Sequence, residues 1–141
     1  MEKINEFRKD YFFLSNFYKV PVEYKGLTYS TSEAAFQAQK CKNEADKAAF
    51  TSMTPDEAKQ YGRKIELRPD WEQVKFTFMK EIVYAKFSQN ENIRERLLAT
   101  GDAYLEEGNT WGDQIWGTVD GIGENNLGKI LMEVRAELQN K

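Results

Sequence analysis

Between residues 71 and 89, apolar side chains return every three to four positions. Trp71, Val74, Phe78, Ile82 and Ala85 form one strip, and Phe76, Met79, Val83 and Phe87 carry it around the same surface. That period predicts the longest helix of the chain, introduced by Arg68-Pro69-Asp70. Leu127, Ile130, Leu131, Val134 and Leu138 repeat it on a final helix, capped by Asn125 or Asn126 and running to about Gln139. A shorter helix covers residues 91–100 and stops at Gly101. Thr54-Pro55-Asp56-Glu57 combines a cap, a proline at the first helical position and following acids, so it starts a helix that ends near Gly62. Two further helices are expected, one over Glu44–Ser52 and one capped by Thr31 or Ser32 that runs to about Lys42. The first thirty residues, with a turn at Lys25-Gly26, read as loops and short strands. The Gly-, Asp- and Trp-rich stretch 102–124 reads the same way. The expected fold is mainly α (α+β with a small β component), in one compact domain over residues 1–141.

Some polar residues interrupt this order. In "TYSTSEAAFQAQK", residues 28–40, Glu33, Gln37 and Lys40 stand at i, i+4 and i+7. At about 100° per residue they share a stripe about 60° wide, beside Phe36. Ala34, Ala38 and Cys41 form a slim neighbouring stripe that permits close approach of another helix or a ligand. From periodicity alone a solvated Glu–Lys face is the favoured account of the row, and the Ala-rich flank, which suggests burial on both sides, stands against it. On the long helix, Lys75 and Lys86 project within the apolar arc. A buried ammonium is costly, so each should pair with a carboxylate, snorkel, or carry a depressed pKa. Otherwise such a lysine lines a cleft as a nucleophile or an anion ligand. In "TWGDQIWGTVDGIGENNLGK", Asp113 lies between Trp111 and Trp116, which are core rings or a stacking surface beside a carboxylate. Gly121, Gly123 and the helix start at Asn125 are a weak candidate for backbone donors to a phosphate, since the spacing fits no P-loop and does not follow a clear strand with the Rossmann spacing.

Composition narrows the chemistry. The chain has no histidine and a single cysteine, Cys41. This excludes a Ser-His-Asp or Cys-His site, an imidazole-ligated metal, an internal disulfide and a zinc or iron–sulfur cluster. Catalysis is left to Asp, Glu, Lys, Tyr, Cys41 or an oxygen-ligated cation, and no calcium-type acidic loop is present. No metal and no cofactor are expected. A net charge of -3 supplies no global field for nucleic acid, although a local basic cleft stays open. No apolar run approaches the ~20 residues of a membrane span, and the charged N-terminal stretch does not read as a secretion signal. A cytoplasmic protein is expected, with no membrane association and no obligate protein partner.

Several segments together resemble the NADAR family of YbiA-like N-glycosidases. They are FLSNFY at 13–18, the TYSTSEAAFQAQK stretch, Gly62-Arg63, Arg68 with DWEQVK at 70–75, Met79 and Lys86-Phe87. LLATG at 97–101, Asp113, Trp116-Gly117, Gly123 and NLGKILMEVR at 126–135 follow in the same order. The resemblance implies a mostly helical domain with a small sheet. It implies hydrolysis of the bond between ribose C1 and an exocyclic amine. The family's substrates are phosphoribosylamino-pyrimidine intermediates of riboflavin synthesis and ADP-ribose attached to guanine. The partner is therefore a nucleotide-like small molecule or an ADP-ribosylated nucleic-acid base.

Carried onto this chain, the resemblance makes Glu33, Lys40 and Asp113 the catalytic candidates. Glu33 activates water or a ribose hydroxyl, or stabilises charge at C1. Lys40 is a candidate Schiff-base nucleophile toward a ring-opened sugar. Asp113 binds or protonates the leaving amine, and Trp116 stacks on the base. Arg63 and Arg68 are phosphate candidates. Asn16, Phe17, Gln37, Lys75, Gly117 and Asn126 complete the expected substrate-binding set. Glu33 and Lys40 should face one cleft with Trp116 and Asp113. Two other classes remain: a non-catalytic module that holds an ADP-ribose-like metabolite, and a structural protein whose polar row is surface.

Overall fold

A computed structural model describes residues 2–141. Its elements are β1 (Lys3–Ile4), a 3-10 helix (Lys9–Leu14), β2 (Lys19–Tyr24), β3 (Leu27–Thr31) and α1 (Ser32–Ala38). A second 3-10 helix (Glu44–Ser52), α2 (Pro55–Gly62), α3 (Trp71–Gln89), α4 (Glu91–Ala99), β4 (Tyr104–Leu105) and α5 (Asn126–Gln139) follow. Helices dominate and the strands form two separate pairs, so the fold is mainly α with a small β component. The chain divides into two units, Asn16–Asn90 and the pairing of the first fifteen residues with Glu91–Lys141.

In the unit Asn16–Asn90, β2 and β3 form an antiparallel hairpin around Lys25-Gly26, where both residues take positive φ. Gly26 accepts that region without strain. The outer edge of β2 is closed by side chains from the end of α3 (Trp71–Gln89): Gln89 exchanges two 2.8 Å hydrogen bonds with the Glu23 backbone, and Asn90 donates to the Pro21 carbonyl. Those amides stand where a third strand would otherwise pair. Thr54 and Glu57 form a reciprocal capping box at the start of α2 (Pro55–Gly62), with Pro55 as its first residue. Trp71, Phe78, Met79, Ile82, Val83 and Phe87 are buried along α3, whereas Phe76, expected on the same arc, is 39% exposed.

The helix expected to reach Lys42 ends at Ala38. Cys41 pairs with Leu67 in an antiparallel bridge, and the Arg68 N–H donates to the Lys40 carbonyl at 3.0 Å. The backbone at 40–41 is therefore engaged by a distant segment and cannot continue the helical ladder. Glu44–Ser52 is helical as expected, but with 3-10 geometry.

In the other unit, β1 pairs in parallel with β4, bringing Lys3 opposite Tyr104. Leu127, Ile130, Leu131, Val134 and Leu138 are buried along α5, as the stripe requires. Asn125 occupies the N-cap position of α5 in a left-handed conformation, φ 55°, but its side chain does not cap. It donates to the Leu105 carbonyl and accepts from the Glu107 N–H, both at 2.9 Å, and so ties β4 to the helix start. Among the described residues no helix is long and apolar enough to cross a membrane.

Candidate active site

The N-terminus of α1 is held by its own sequence. Thr31 accepts from the Ala34 N–H at 3.1 Å, which caps the helix. The Glu33 N–H donates to the Asn16 carbonyl at 3.0 Å, and the Ser32 hydroxyl donates to Asn16 Oδ1 at 2.8 Å. Asn16, from the FLSNFY stretch, is thus buried against the first turn, with its amide nitrogen at 3.5 Å from Met79 Sδ. Ala34, Ala35 and Ala38 are fully buried, which explains the slim flank.

Glu33 is 8% exposed and Gln37 6%, so the alternative of a solvated Glu–Lys face is overturned. Gln37 Nε2 donates to Glu33 Oε2 at 2.7 Å across one helical turn. Lys40 lies beyond the end of α1, half-buried, with its ammonium 5.8 Å from the centre of the Trp71 ring. Trp71 in turn packs against Phe36 and stacks with Phe78. Burial pushes the Lys40 pKa down; Glu33 pulls it up, and Arg63 and Lys75 push it further down. Glu33, Arg63 and Lys75 therefore all lie close enough to Lys40 for their charges to act on it.

The two lysines of the apolar arc differ. Lys75 is paired with Glu72 at 2.7 Å, so it takes the ion-pair option. Lys86 is buried at 1% exposure, with its ammonium 5.0 Å from the Phe87 ring centre and 5.9 Å from that of Tyr18; burial pushes its pKa down to about 7. Arg68 forms a two-point pair with Asp70 at 2.6 and 3.2 Å, and that pair raises its pKa. Arg63 is exposed at the end of α2. Phe17 is half-buried beneath the Lys59 ammonium.

Asp113, Trp116, Gly117 and Asn126 belong to the other unit. Asp113 Oδ1 accepts from the N–H groups of Ile115 and Trp116, at 3.0 and 2.9 Å, which fixes the turn that carries Trp116. A Cβ on Gly117 would lie 2.0 Å from the Glu107 carbonyl oxygen, so glycine is needed there for close backbone approach. The Asn126 side chain donates to the Ile115 carbonyl at 2.8 Å and to Glu124. The N–H groups of Glu124, Asn125, Asn126 and Leu127 donate to the carbonyls of residues 114, 117, 115 and 116. The donors suggested for a phosphate at this helix start are therefore taken by the preceding loop. Among the described residues no group of three or more Cys, Asp or Glu side chains gathers as a metal site.

A NADAR domain match runs over residues 4–139, nearly the whole chain. The protein belongs to the NADAR family. The N-glycosidase YbiA of Shigella boydii is 41% identical over 133 residues, covering 92% of this chain and 82% of its own. An N-glycosidase of Nostoc punctiforme is 40% identical, covering 89% and 85%. A riboflavin biosynthesis protein of Vibrio vulnificus is 38% identical, but the match spans 35% of its length. The solution structure of Escherichia coli YbiA superimposes with a TM-score of 0.88 at 39% identity, covering 99% of this chain and 86% of that one.

Two features of this NADAR chain escaped the sequence reading. Asn109 organises the loop before Trp116: its Oδ1 accepts from the N–H groups of Trp111 and Asp113, and its Nδ2 donates to the Asp113 carbonyl at 2.9 Å. An asparagine between glycine and threonine was its only signal. Gly62 packs directly against the Gln37 amide. It was visible as the expected end of α2 and as one half of the Gly62-Arg63 match, but not as the seat of Gln37.

Proposed function

We infer that the protein is an N-glycosidase that cleaves the bond between ribose C1 and an exocyclic amine of a nucleobase-like group. The observation that carries this reading is the Glu33 carboxylate, buried and held by Gln37 beside half-buried Lys40, in a chain whose N-glycosidase relatives align over most of their length. The substrate is a phosphate-bearing, amine-linked ribose: a phosphoribosylamino-pyrimidine or ADP-ribosylated guanine. Arg63 and Lys75, which lie close enough to Lys40 to lower its pKa, favour an anionic substrate and are the proposed phosphate ligands. Lys75 and Arg68 are the weaker ones, since Glu72 and Asp70 already pair with them. Trp116 and Asp113 keep only the roles that the family resemblance gives them, a stacking ring and a partner for an amine. Asn16 and Phe17 border the substrate on the Glu33 side, while Gly117 and Asn126 hold the loop that carries Trp116. The whole chain acts as one catalytic domain in the cytoplasm.

In this mechanism the C1–N bond breaks as positive charge develops at C1, and the Glu33 carboxylate stabilises that charge. Water adds at C1 and gives a proton to Glu33, which later returns it to solvent, and the leaving nitrogen takes a proton from solvent and departs as the free amine. No metal or cofactor enters these steps. The depressed pKa of Lys40 favours a second route. An amine-linked ribose opens to a C1 imine, the neutral Lys40 amine adds there, the substrate amine leaves, and water hydrolyses the lysine imine to release the sugar. Both routes keep Glu33.

Incubation with each substrate class, with and without a chelator, followed by mass spectrometry of the products tests this reading. Release of a ribose 5-phosphate or ADP-ribose species together with the free amine, unaffected by chelator, is expected. Intact substrate of both classes would refute it.

A further inference from the structure

Gln37 is turned so that its Nε2 faces Glu33 and its Oε1 faces α2, where the oxygen is buried and has no hydrogen-bond partner among the described residues. A buried amide acceptor left unsatisfied is costly. The opposite amide orientation would put an oxygen against the Glu33 carboxylate, so the Glu33 contact fixes the orientation. What stands against Oε1 is Gly62, the last residue of α2. A Cβ built on Gly62 would lie 2.0 Å from Gln37 Oε1 and 2.9 Å from Gln37 Cδ, while its other near atom is Gln37 Cβ at 3.5 Å. The first atom to yield is therefore the end of a side chain, not the backbone. Gly62 does not carry a positive φ, so its backbone gives no reason for glycine. In a helix, alanine is preferred to glycine by roughly 1 kcal/mol. The space that glycine leaves is the space that the Gln37 amide occupies.

We propose that Gly62 and Gln37 are positioning residues for the Glu33 carboxylate: α2 seats the Gln37 amide, and the amide sets the carboxylate oxygens toward the substrate. This rests on the reading of Glu33 as the essential carboxylate. Displacing an amide that holds a reacting group by about 1 Å can cost up to about 100-fold in rate.

The test is a cycle of Gly62→Ala, Gln37→Ala and the double variant, with kcat, KM, the pH profile of kcat and thermal stability measured for each. Gly62→Ala is expected to lower kcat by roughly 10- to 100-fold, with KM changed by less than about threefold and the fold intact. Gln37→Ala should lower kcat similarly and move the acid limb of the profile to higher pH, because an N–H donor to the ionised carboxylate is lost. In the Gln37→Ala background the new methyl has room, so adding Gly62→Ala should change kcat by less than about twofold. The same loss in both backgrounds, or a wild-type kcat for Gly62→Ala, would overturn the proposal. Should Gly62→Ala fail to fold alone, Gln37→Ala decides: an unchanged kcat and acid limb would overturn it. Glu33→Gln is assayed alongside. An inactive Glu33→Gln with an uncoupled cycle sinks the positioning role only; a fully active Glu33→Gln removes the reading beneath it.

Discussion

Lys3 of β1 forms a 2.8 Å ion pair with Glu106, the residue that follows β4, and the buried carboxylate also accepts the Thr118 hydroxyl. One side chain thus joins the first strand to the loop that carries Trp116. The Lys3 hydrogen bond, then that of Thr118, holds the Glu106 carboxyl below its ordinary range, against the cost of burial. A carboxyl whose folded pKa is depressed contributes stability above its unfolded pKa and loses it as pH falls through the folded value. Urea unfolding followed from about pH 6 to pH 3 should show stability falling, with a shallower fall in Glu106→Gln. Equal slopes for the two proteins would contradict this role.

Lys86 produces the opposite trend. Its folded pKa, about 7, lies below the ordinary 10.5, so the unfolded chain binds more protons between those values. Stability from this group therefore rises with pH across that window and is lost as pH falls toward 7. Denaturation midpoints should climb between about pH 7 and pH 9 in the wild type and much less in Lys86→Met. An unchanged climb in the variant would assign it to other groups.

Gly117→Ala should be structural in its effect. The added Cβ meets a backbone oxygen of Glu107, which cannot swing away as a side chain can. A loss of ~1–3 kcal/mol in unfolding free energy is expected. A wild-type unfolding curve would show that the loop shifts freely.

The sequence made some of this legible and hid the rest for physical reasons. The start of α2 was readable because Thr54, Pro55 and Glu57 act within one turn. The core stripe of α5 was readable because every residue on it faces the same way. The end of α1 was not, because Leu67 and Arg68, distant in sequence, claim the backbone at 40–41. Asn125 looked like a cap but serves the Leu105 and Glu107 backbone instead. Glu33, Gln37 and Lys40 were visible as an anomaly of spacing, yet spacing alone fits a wet face as well as a buried one. Lys75 and Lys86 looked equivalent on the helix, and only the fold separates a half-buried lysine beside Glu72 from one buried beside the Tyr18 and Phe87 rings.

Lys40 gives the sharpest choice between routes. If its amine adds to the opened sugar, borohydride should trap a sugar adduct that peptide mass spectrometry maps to Lys40. Lys40→Ala should then lose turnover, and the alkaline rise in wild-type rate should begin below the ordinary lysine range, since burial depresses this pKa. No adduct, together with an active Lys40→Ala, would leave water as the nucleophile. An adduct on Lys86 would mean that this buried lysine becomes exposed during turnover.

The central claim is that the buried Glu33 carboxylate performs the chemistry, and Glu33→Gln tests it most directly. The substitution keeps the shape of the side chain and removes its charge and basicity. With an amine-linked ribose phosphate as substrate, turnover by Glu33→Gln should fall ~10²–10⁴-fold, with a thermal unfolding curve like that of the wild type. Turnover within about twofold of the wild type in a folded Glu33→Gln protein would contradict the account.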